Sequence, residues 1–497
     1  MSEALDNLIR QGALRWLHGI DLDPRSVTYG ICDREFWAWK TKDFSNGTWQ
    51  GGLAGFLDAA DLLPLTKAQL ENCVSATLSG TLHIQRHNGS FEEAYPYESS
   101  LAVTALVIFC LLYAYYRHGC LFTPRSEEML HEITRRALPF LKNVPETHGT
   151  ICNHLITIEL AQALGRRLLA AGGREPVHID VTDMQDPEGW FAEYGGADPG
   201  YQLLLNHYLS AFEQVNPLSP KSGQAFDKSI DFCQLATFPD GTFAGEIGAR
   251  GTSICYPSGT FRERGNTFSR WFMQKHMNDL SCVTPTNVDP GNFVPIFNSW
   301  ALARIKLSND SSESAEGQAP SPHSWRILPG AKMLVAESSS SKVILSLDNG
   351  AMRHVEFCAE QKVWQDKSIV GFMKGEWTTQ GREIHFVEGR NETELLIKLS
   401  SVHRQQRVNG VWQSVLLRAL GIVTYVIPAA QRVLKKWLTA FVMGQSTQQR
   451  PTNITLRVSR QEDALSVSIE NPDVWYPVRF GYQQHMASAN TFQTRAL

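Results

Sequence analysis

The chain has 497 residues, a net charge of −4 and 43% apolar residues. Its length predicts two large domains rather than one. The apolar fraction excludes global disorder, and the mild negative charge excludes a nucleic-acid binder, which needs a strongly basic face.

The N-terminal MSEALDNLIRQGALRWLHGIDLDP carries acids early and no apolar h-region, so no signal peptide is expected. Apolar residues then recur at helical spacing, which predicts helices at 3–17, 48–61, 66–80, 98–117, 125–142, 150–171, 199–216, 222–236 and 265–280. Ser126 before two acids reads as a helix start and Gly172–Gly173 as a helix stop. Short connectors predict paired antiparallel helices, without deciding between a ring, a solenoid and a bundle. The run Leu101–Tyr116 is apolar but shorter than the ~20 residues a membrane span needs, which predicts a core helix. The nine cysteines include no C-x-x-C pair. Neither a zinc site nor a disulfide framework is expected, and buried free thiols suit a reducing, cytoplasmic compartment.

Residues 301–324 include SNDSSESAEGQAPSPHS and read as a linker after a helical domain at 1–300. From 325 to 497 short segments alternate apolar and polar residues between turns, which predicts an antiparallel all-β sandwich. Residues 411–444 break that pattern. They carry Arg418, Arg432, Lys435 and Lys436 and no acid, and Pro428 divides them. Two readings stay open: a helical pair at the inner membrane surface, or an inserted pair packed on its own sheet.

The richest chemistry lies between residues 186 and 260. There DPEGWFAEYGGADPGY and FPDGTFAGEIGARGTSICYP flank a helix pair. Trp190, Tyr194 and Tyr256 offer ring faces for sugar, and Glu193, Asp198, Asp240, Glu246 and Arg250 offer polar partners for its hydroxyls. Tight helix–helix turns with satisfied acids are the alternative. A second acid-rich turn, NGSFEEAYPYES, places Glu92, Glu93, Tyr97 and Glu98 before a long helix. Glu92 or Glu93, with Glu193, Asp198 or Glu246 opposite, would form the carboxylate pair a glycosidase needs. Alternatively these acids serve the helix N-terminus. In CDREFWAWKTKDF, Asp33, Trp37 and Lys40 are spaced for one helical face, as a sugar contact or a structural bridge.

A helical body followed by a β domain, with TYGICDREFWAWKTKDF, NGSFEEAYPYESSLAVTALV, GTICNHLITIELAQAL and the two glycine-rich loops, resembles the heparinase II/III-like, alginate-lyase-like proteins. Within them it resembles a subgroup associated with bacterial surface-polysaccharide gene clusters. The resemblance covers roughly residues 25–260 and implies an (α/α) toroid that acts on a polysaccharide or oligosaccharide. It also implies an Asn, a Tyr and His residues that eliminate across a uronate. Asn153 and His154 match the Asn-bearing helix start, and Tyr201 matches the Tyr. His207 follows six residues later and does not share its face. The family's second-domain histidine has no clear counterpart, and His354 and His403 are candidates for it.

Nothing in the chain matches a P-loop, a strand-borne G-x-G-x-x-G, H-E-x-x-H or G-x-S-x-G, so no cofactor, metal or serine nucleophile is expected. Three classes follow: a lyase or hydrolase of surface glycans, a non-catalytic glycan-binding or assembly protein, and an isoprenoid enzyme. The last would need D-x-D-D or D-D-x-x-D acids, which are missing.

Overall fold

The computed structural model describes residues 2–146, 150–170, 175–249, 254–262, 267–276, 283–308, 324–347, 350–369, 371–374, 377–379, 394–403, 410–425, 427, 430, 433–434, 449–461, 464–471 and 476–478. Helices fill the first part: α1 (Ser2–Leu17), α2 (Arg34–Trp37), α3 (Leu53–Asp58), α4 (Lys67–Ile84), α5 (Leu101–His118), α6 (Pro124–Asn143), α7 (Cys152–Leu169), α8 (Pro199–Val215), α9 (Pro220–Leu235), α10 (Thr267–His276) and α11 (Phe293–Ser308).

Local chemistry sets their starts. Thr66 and Gln69 form a capping box on α4, and Ser100, Asp198 and Ser219 cap α5, α8 and α9. Thr123 caps α6, not Ser126, because Pro124 takes the first helical position, where its missing N–H costs nothing. The helix expected at 48–61 is instead a 3-10 turn, Gly47–Gly52, that runs into the short α3. The expected stop at Gly172–Gly173 lies outside the described residues.

Three inner helices run side by side in one direction. Phe109 of α5 meets Tyr208 of α8 edge-on at 5.7 Å. The Tyr116 hydroxyl, in the last turn of α5, donates to the Leu164 carbonyl of α7 at 3.3 Å. Arg167 near the end of α7 donates to the carbonyl of Val215, the last residue of α8, at 3.0 Å. Their N-termini therefore share one end of the body. One described helical stretch, Leu101–Leu121, is long and apolar enough to cross a membrane, but 67% of its apolar window is buried inside the protein. It is apolar on all sides because other helices surround it.

The helical part continues to Ser308, beyond the expected boundary at 300, and β1 begins at Ser324. Of the expected linker, 309–323 lies outside the described residues. Two antiparallel sheets follow. Sheet A runs in order β1 (Ser324–Leu328), β2 (Met333–Glu337), β3 (Ser341–Ser346), β4 (Met352–Cys358) and β5 (Val363–Asp366). The other strands are β6 (Gly371–Lys374), β7 (Trp377–Thr378), β8 (Glu394–His403), β9 (Gln449–Gln461), β10 (Ala464–Glu470) and β11 (Tyr476–Val478). They form sheet B in the order β10-β9-β8-β7-β6-β11.

The central strands of sheet A, β2 and β3, are buried on both faces. Leu334, Ala336, Val343 and Leu345 pack with Leu395, Ile397, Leu456 and Val458 of sheet B. Met333, Val335 and Ile344 point the other way, into a cluster with Trp190, Phe232, Phe238 and Ile247 of the helical part. Alternation along a strand sends successive residues to opposite faces, so a strand buried on both sides reads as an unbroken apolar run, here MLVA. Polar groups align this junction. The Glu188 carboxylate accepts from the Gly330 and Ala331 N–H groups at 2.9 and 2.8 Å. Lys342, 1% exposed, donates to the Thr237 carbonyl at 2.7 Å and stands 3.8 Å from Glu337.

From the 411–444 segment, α12 (Val411–Tyr425) meets the helical part. Arg418 reaches Asp43 of the helical part with paired bonds of 3.0 and 3.1 Å. At Gly421 the helix approaches Pro96 and Tyr97, where an added Cβ would meet the Pro96 carbonyl at 3.4 Å. Pro428, Arg432, Lys435 and Lys436 lie outside the described residues.

Burial pulls the Lys342 ammonium down from 10.5 to about 8, against the opposing pull of Glu337. Between those two values the unfolded chain holds the proton and the folded chain has released it, so this group makes stability rise with pH. Across that window, wild type should gain about 3 kcal/mol relative to Lys342→Met. Urea denaturation curves at each pH measure the difference, and parallel trends in the two proteins would refute it.

Candidate functional site

The loops that feed α7 and α8 are stitched together at the end of the body that they share with the start of α5. Ile151 pairs with Glu193 in an antiparallel bridge. The Cys152 N–H donates to the Ala192 carbonyl and the Tyr194 N–H to the Thr150 carbonyl, both at 3.0 Å. Tyr194 and Gly195 take successive positive φ values of 53° and 86°. Glycine reverses the chain there freely, whereas Tyr194 is strained. Tyr97 (φ 64°) and Ser99 (φ 51°) show the same strain in the loop before α5. Of the six non-glycine residues with positive φ among those described, three fall in these two loops. Such outliers concentrate at functional sites.

Most of the expected acids are engaged by the loop itself. Glu92, 3% exposed, accepts from Arg86 Nε at 2.8 Å and from the Tyr97 N–H. Burial pushes its carboxyl above the usual range while Arg86 opposes the shift. Glu98 accepts from the N–H groups of Glu93 and Ala94 at 3.1 and 2.7 Å. Glu193, also 3% exposed, accepts from Asn153 Nδ2 at 2.8 Å. Asp198 caps α8 through the Tyr201 N–H at 2.9 Å. Gly248 lies so close that a Cβ there would come within 2.6 Å of Asp198. Glu93 differs: it is exposed and accepts from Ser100 Oγ at 3.0 Å.

The histidine pairing was not legible in the sequence. His154 Nδ1 lies 2.8 Å from the Glu146 carboxylate, which is 6% exposed, while the imidazole is 23% exposed. An ionised Glu146 accepts a hydrogen bond from Nδ1–H, which holds the proton on Nδ1 and leaves Nε2 of the neutral ring as the acceptor nitrogen. No described residue bonds to Nε2. Glu146 went unnoticed because it lies eight residues upstream, in the connector after α6, where no periodicity marks it.

Tyr201 sits half-buried in the first turn of α8. Burial pushes the Tyr208 and Tyr256 phenols well up, and nearby Tyr201 adds to both shifts. Glu93, in the loop before α5, adds to that of Tyr208 as well. Asn153 and His154 open α7 and Tyr201 opens α8, Glu193, Tyr194 and Asp198 lie on the loop between them, and Glu92, Glu93 and Tyr97 lie on the loop before α5. The Tyr97 ring is half-buried beneath the Arg86 guanidinium, 5.0 Å away.

Several expected sugar contacts are elsewhere. Trp190 is 8% exposed in the junction with sheet A, its ring N–H on Glu188 at 3.1 Å, so it offers no face to a sugar. Tyr256, 2% exposed, belongs to the helical core. Asp240 closes its own turn, accepting from the Thr242 N–H and hydroxyl at 2.9 and 2.7 Å. The backbone of Glu246 lies in the 3-10 turn Gly245–Ile247, but its side chain, like the whole of Arg250, lies outside the described residues. His207 is buried, bonded to Ser258 Oγ at 2.7 Å and pulled down to about 3 by burial, so it stays neutral. His354 is 7% exposed inside sheet A, its Nε2 3.1 Å from Ser341 Oγ, and the His403 side chain lies outside the described residues. In the first motif α2 ends at Trp37, so Lys40 leaves the expected face and Lys42 stands 3.4 Å from Asp33 instead.

If Glu92 is a structural acceptor, Arg86→Met leaves a buried carboxylate without its cation. That should cost about 2–4 kcal/mol of unfolding free energy, and adding Glu92→Gln should recover part of it. Unchanged denaturation midpoints in Arg86→Met would refute this role. No family model and no curated protein matches the chain, so the chemistry of the site rests on its own groups.

Proposed function

We propose that this chain cleaves a uronate-containing bacterial polysaccharide or lipid-linked glycan by β-elimination. We place it with the heparinase II/III-like, alginate-lyase-like toroid enzymes of surface-polysaccharide metabolism. The observation that carries the reading is the His154–Glu146 pair, with Nε2 unbonded among the described residues, one residue from the fixed amide of Asn153.

Elimination needs a base for the proton α to the carboxylate, a donor that quiets the carboxylate charge, and an acid at the leaving oxygen. In this reading His154 Nε2 takes the proton. The Asn153 amide, oriented by Glu193, faces the uronate carboxylate. The electron pair of the broken C–H bond forms the double bond, the glycosidic C–O bond breaks, and the Tyr201 phenol protonates the departing oxygen. Hydrolysis fits less well, because Glu92, Glu193 and Asp198 already serve the loop backbone, Arg86 and Asn153. The eight described cysteines are free, which suits the cytoplasmic setting of this proposal.

The test incubates the protein with a panel of polyuronates and neutral polysaccharides. Readouts are the absorbance of an unsaturated uronate and the appearance of reducing ends. His154→Ala and Tyr201→Phe should each slow release by ~10²–10⁴-fold, as expected for lost proton transfer, while Glu93→Gln should change it little. Reducing ends without unsaturated product, or full activity in His154→Ala, would overturn the proposal.

A further inference from the structure

The helix α12 presents an uncovered apolar face at the rim of the candidate site. Val411, Trp412, Val415, Leu416, Ile422 and Val423 are each more than half exposed, from 51% for Val415 to 83% for Trp412. At about 100° per residue they fall within an arc of about 140°, and Gly421 and the half-buried Ser414, Leu417 and Thr424 lie opposite. The inward side approaches Pro96 and Tyr97 at Gly421, and the Arg418–Asp43 pair holds the flank beside the apolar arc. The apolar face thus points away from the body by construction. Beyond it Ile427 and Val433 are also exposed.

We propose that this face seats the protein on the surface of a bilayer with anionic headgroups. Aliphatic side chains and a tryptophan in one arc suit the headgroup–acyl boundary. Charge selects the bilayer over a protein partner. Residues 411–444 carry Arg432, Lys435 and Lys436 besides the latched Arg418, and no acid, within a chain of net charge −4. Such a one-sided charge attracts an anionic leaflet. Seating α12 in this way brings the rim at Tyr97 to the membrane, where a lipid-carried glycan is displayed. The docking itself does not depend on the chemistry proposed for His154.

The test is co-sedimentation of the full chain with vesicles of phosphatidylethanolamine and phosphatidylglycerol, and with vesicles of phosphatidylcholine alone. Wild type should pellet with the anionic vesicles, less so at high salt, and weakly with the neutral ones. The triple variant Trp412→Ser, Leu416→Ser, Val423→Ser should keep its circular dichroism spectrum and lose at least about tenfold in partitioning. Changing Arg432, Lys435 and Lys436 to Gln should remove the preference for anionic lipid. Wild type left in the supernatant, or a triple variant that pellets equally, overturns the proposal. So does a dimer in sedimentation velocity that the triple variant dissociates without any vesicle binding, since the face would then hold a second copy.

Discussion

The N–H groups at a helix start have no partner inside the helix, and here three such starts share one end of the body. The loops before α5, α7 and α8 must satisfy those donors and the strained turns that deliver them. Carboxylates do so most strongly, because their bonds to N–H groups are charge-assisted and the positive helix ends favour them. Glu92, Glu98 and Asp198 are consumed in this way, and Glu193 fixes Asn153. The acid-rich look of the loops is therefore largely architectural. What remains for chemistry is set by this saturation: an imidazole with one nitrogen committed, an amide with a fixed orientation, a phenol and one exposed carboxylate.

The same loops also need support from behind. Sheet A provides it by turning one face to sheet B and the other to the helical part. Trp190 and Phe238 are buried in that second contact, Glu188 stitches it to the backbone of Gly330 and Ala331, and Lys342 bonds the Thr237 carbonyl. The β domain thus braces the segments that frame the site. Its effect on the site is indirect, through the positions of residues 188–197 and 237–247.

Much of the architecture was legible. Capping residues, proline positions and the switch from helical to alternating spacing mark most elements and the order of helices before strands. What escaped are contacts that cross long sequence separations. An aromatic residue in a glycine-rich loop reads equally well as a sugar platform or as core, and Trp190 is core because sheet A, more than a hundred residues later, covers it. Asp43 gave no sign of its pairing with Arg418, 375 residues away. The membrane-or-sheet alternatives for residues 411–444 omitted a third arrangement, in which α12 lies on the helical part. Asn153, His154 and Tyr201 were reached through a family resemblance, whereas the partner that gives His154 its direction, Glu146, was visible only in three dimensions.

The central claim is that the pair His154–Glu146 removes a proton rather than that two carboxylates activate a water. Mass spectrometry of the oligosaccharides released from a polyuronate separates these outcomes directly. Elimination yields fragments whose summed mass equals that of the parent, so each new nonreducing end is one water lighter than its hydrolytic counterpart. The account predicts the lighter fragments, lost in His154→Ala. Fragments that have gained the water would contradict it.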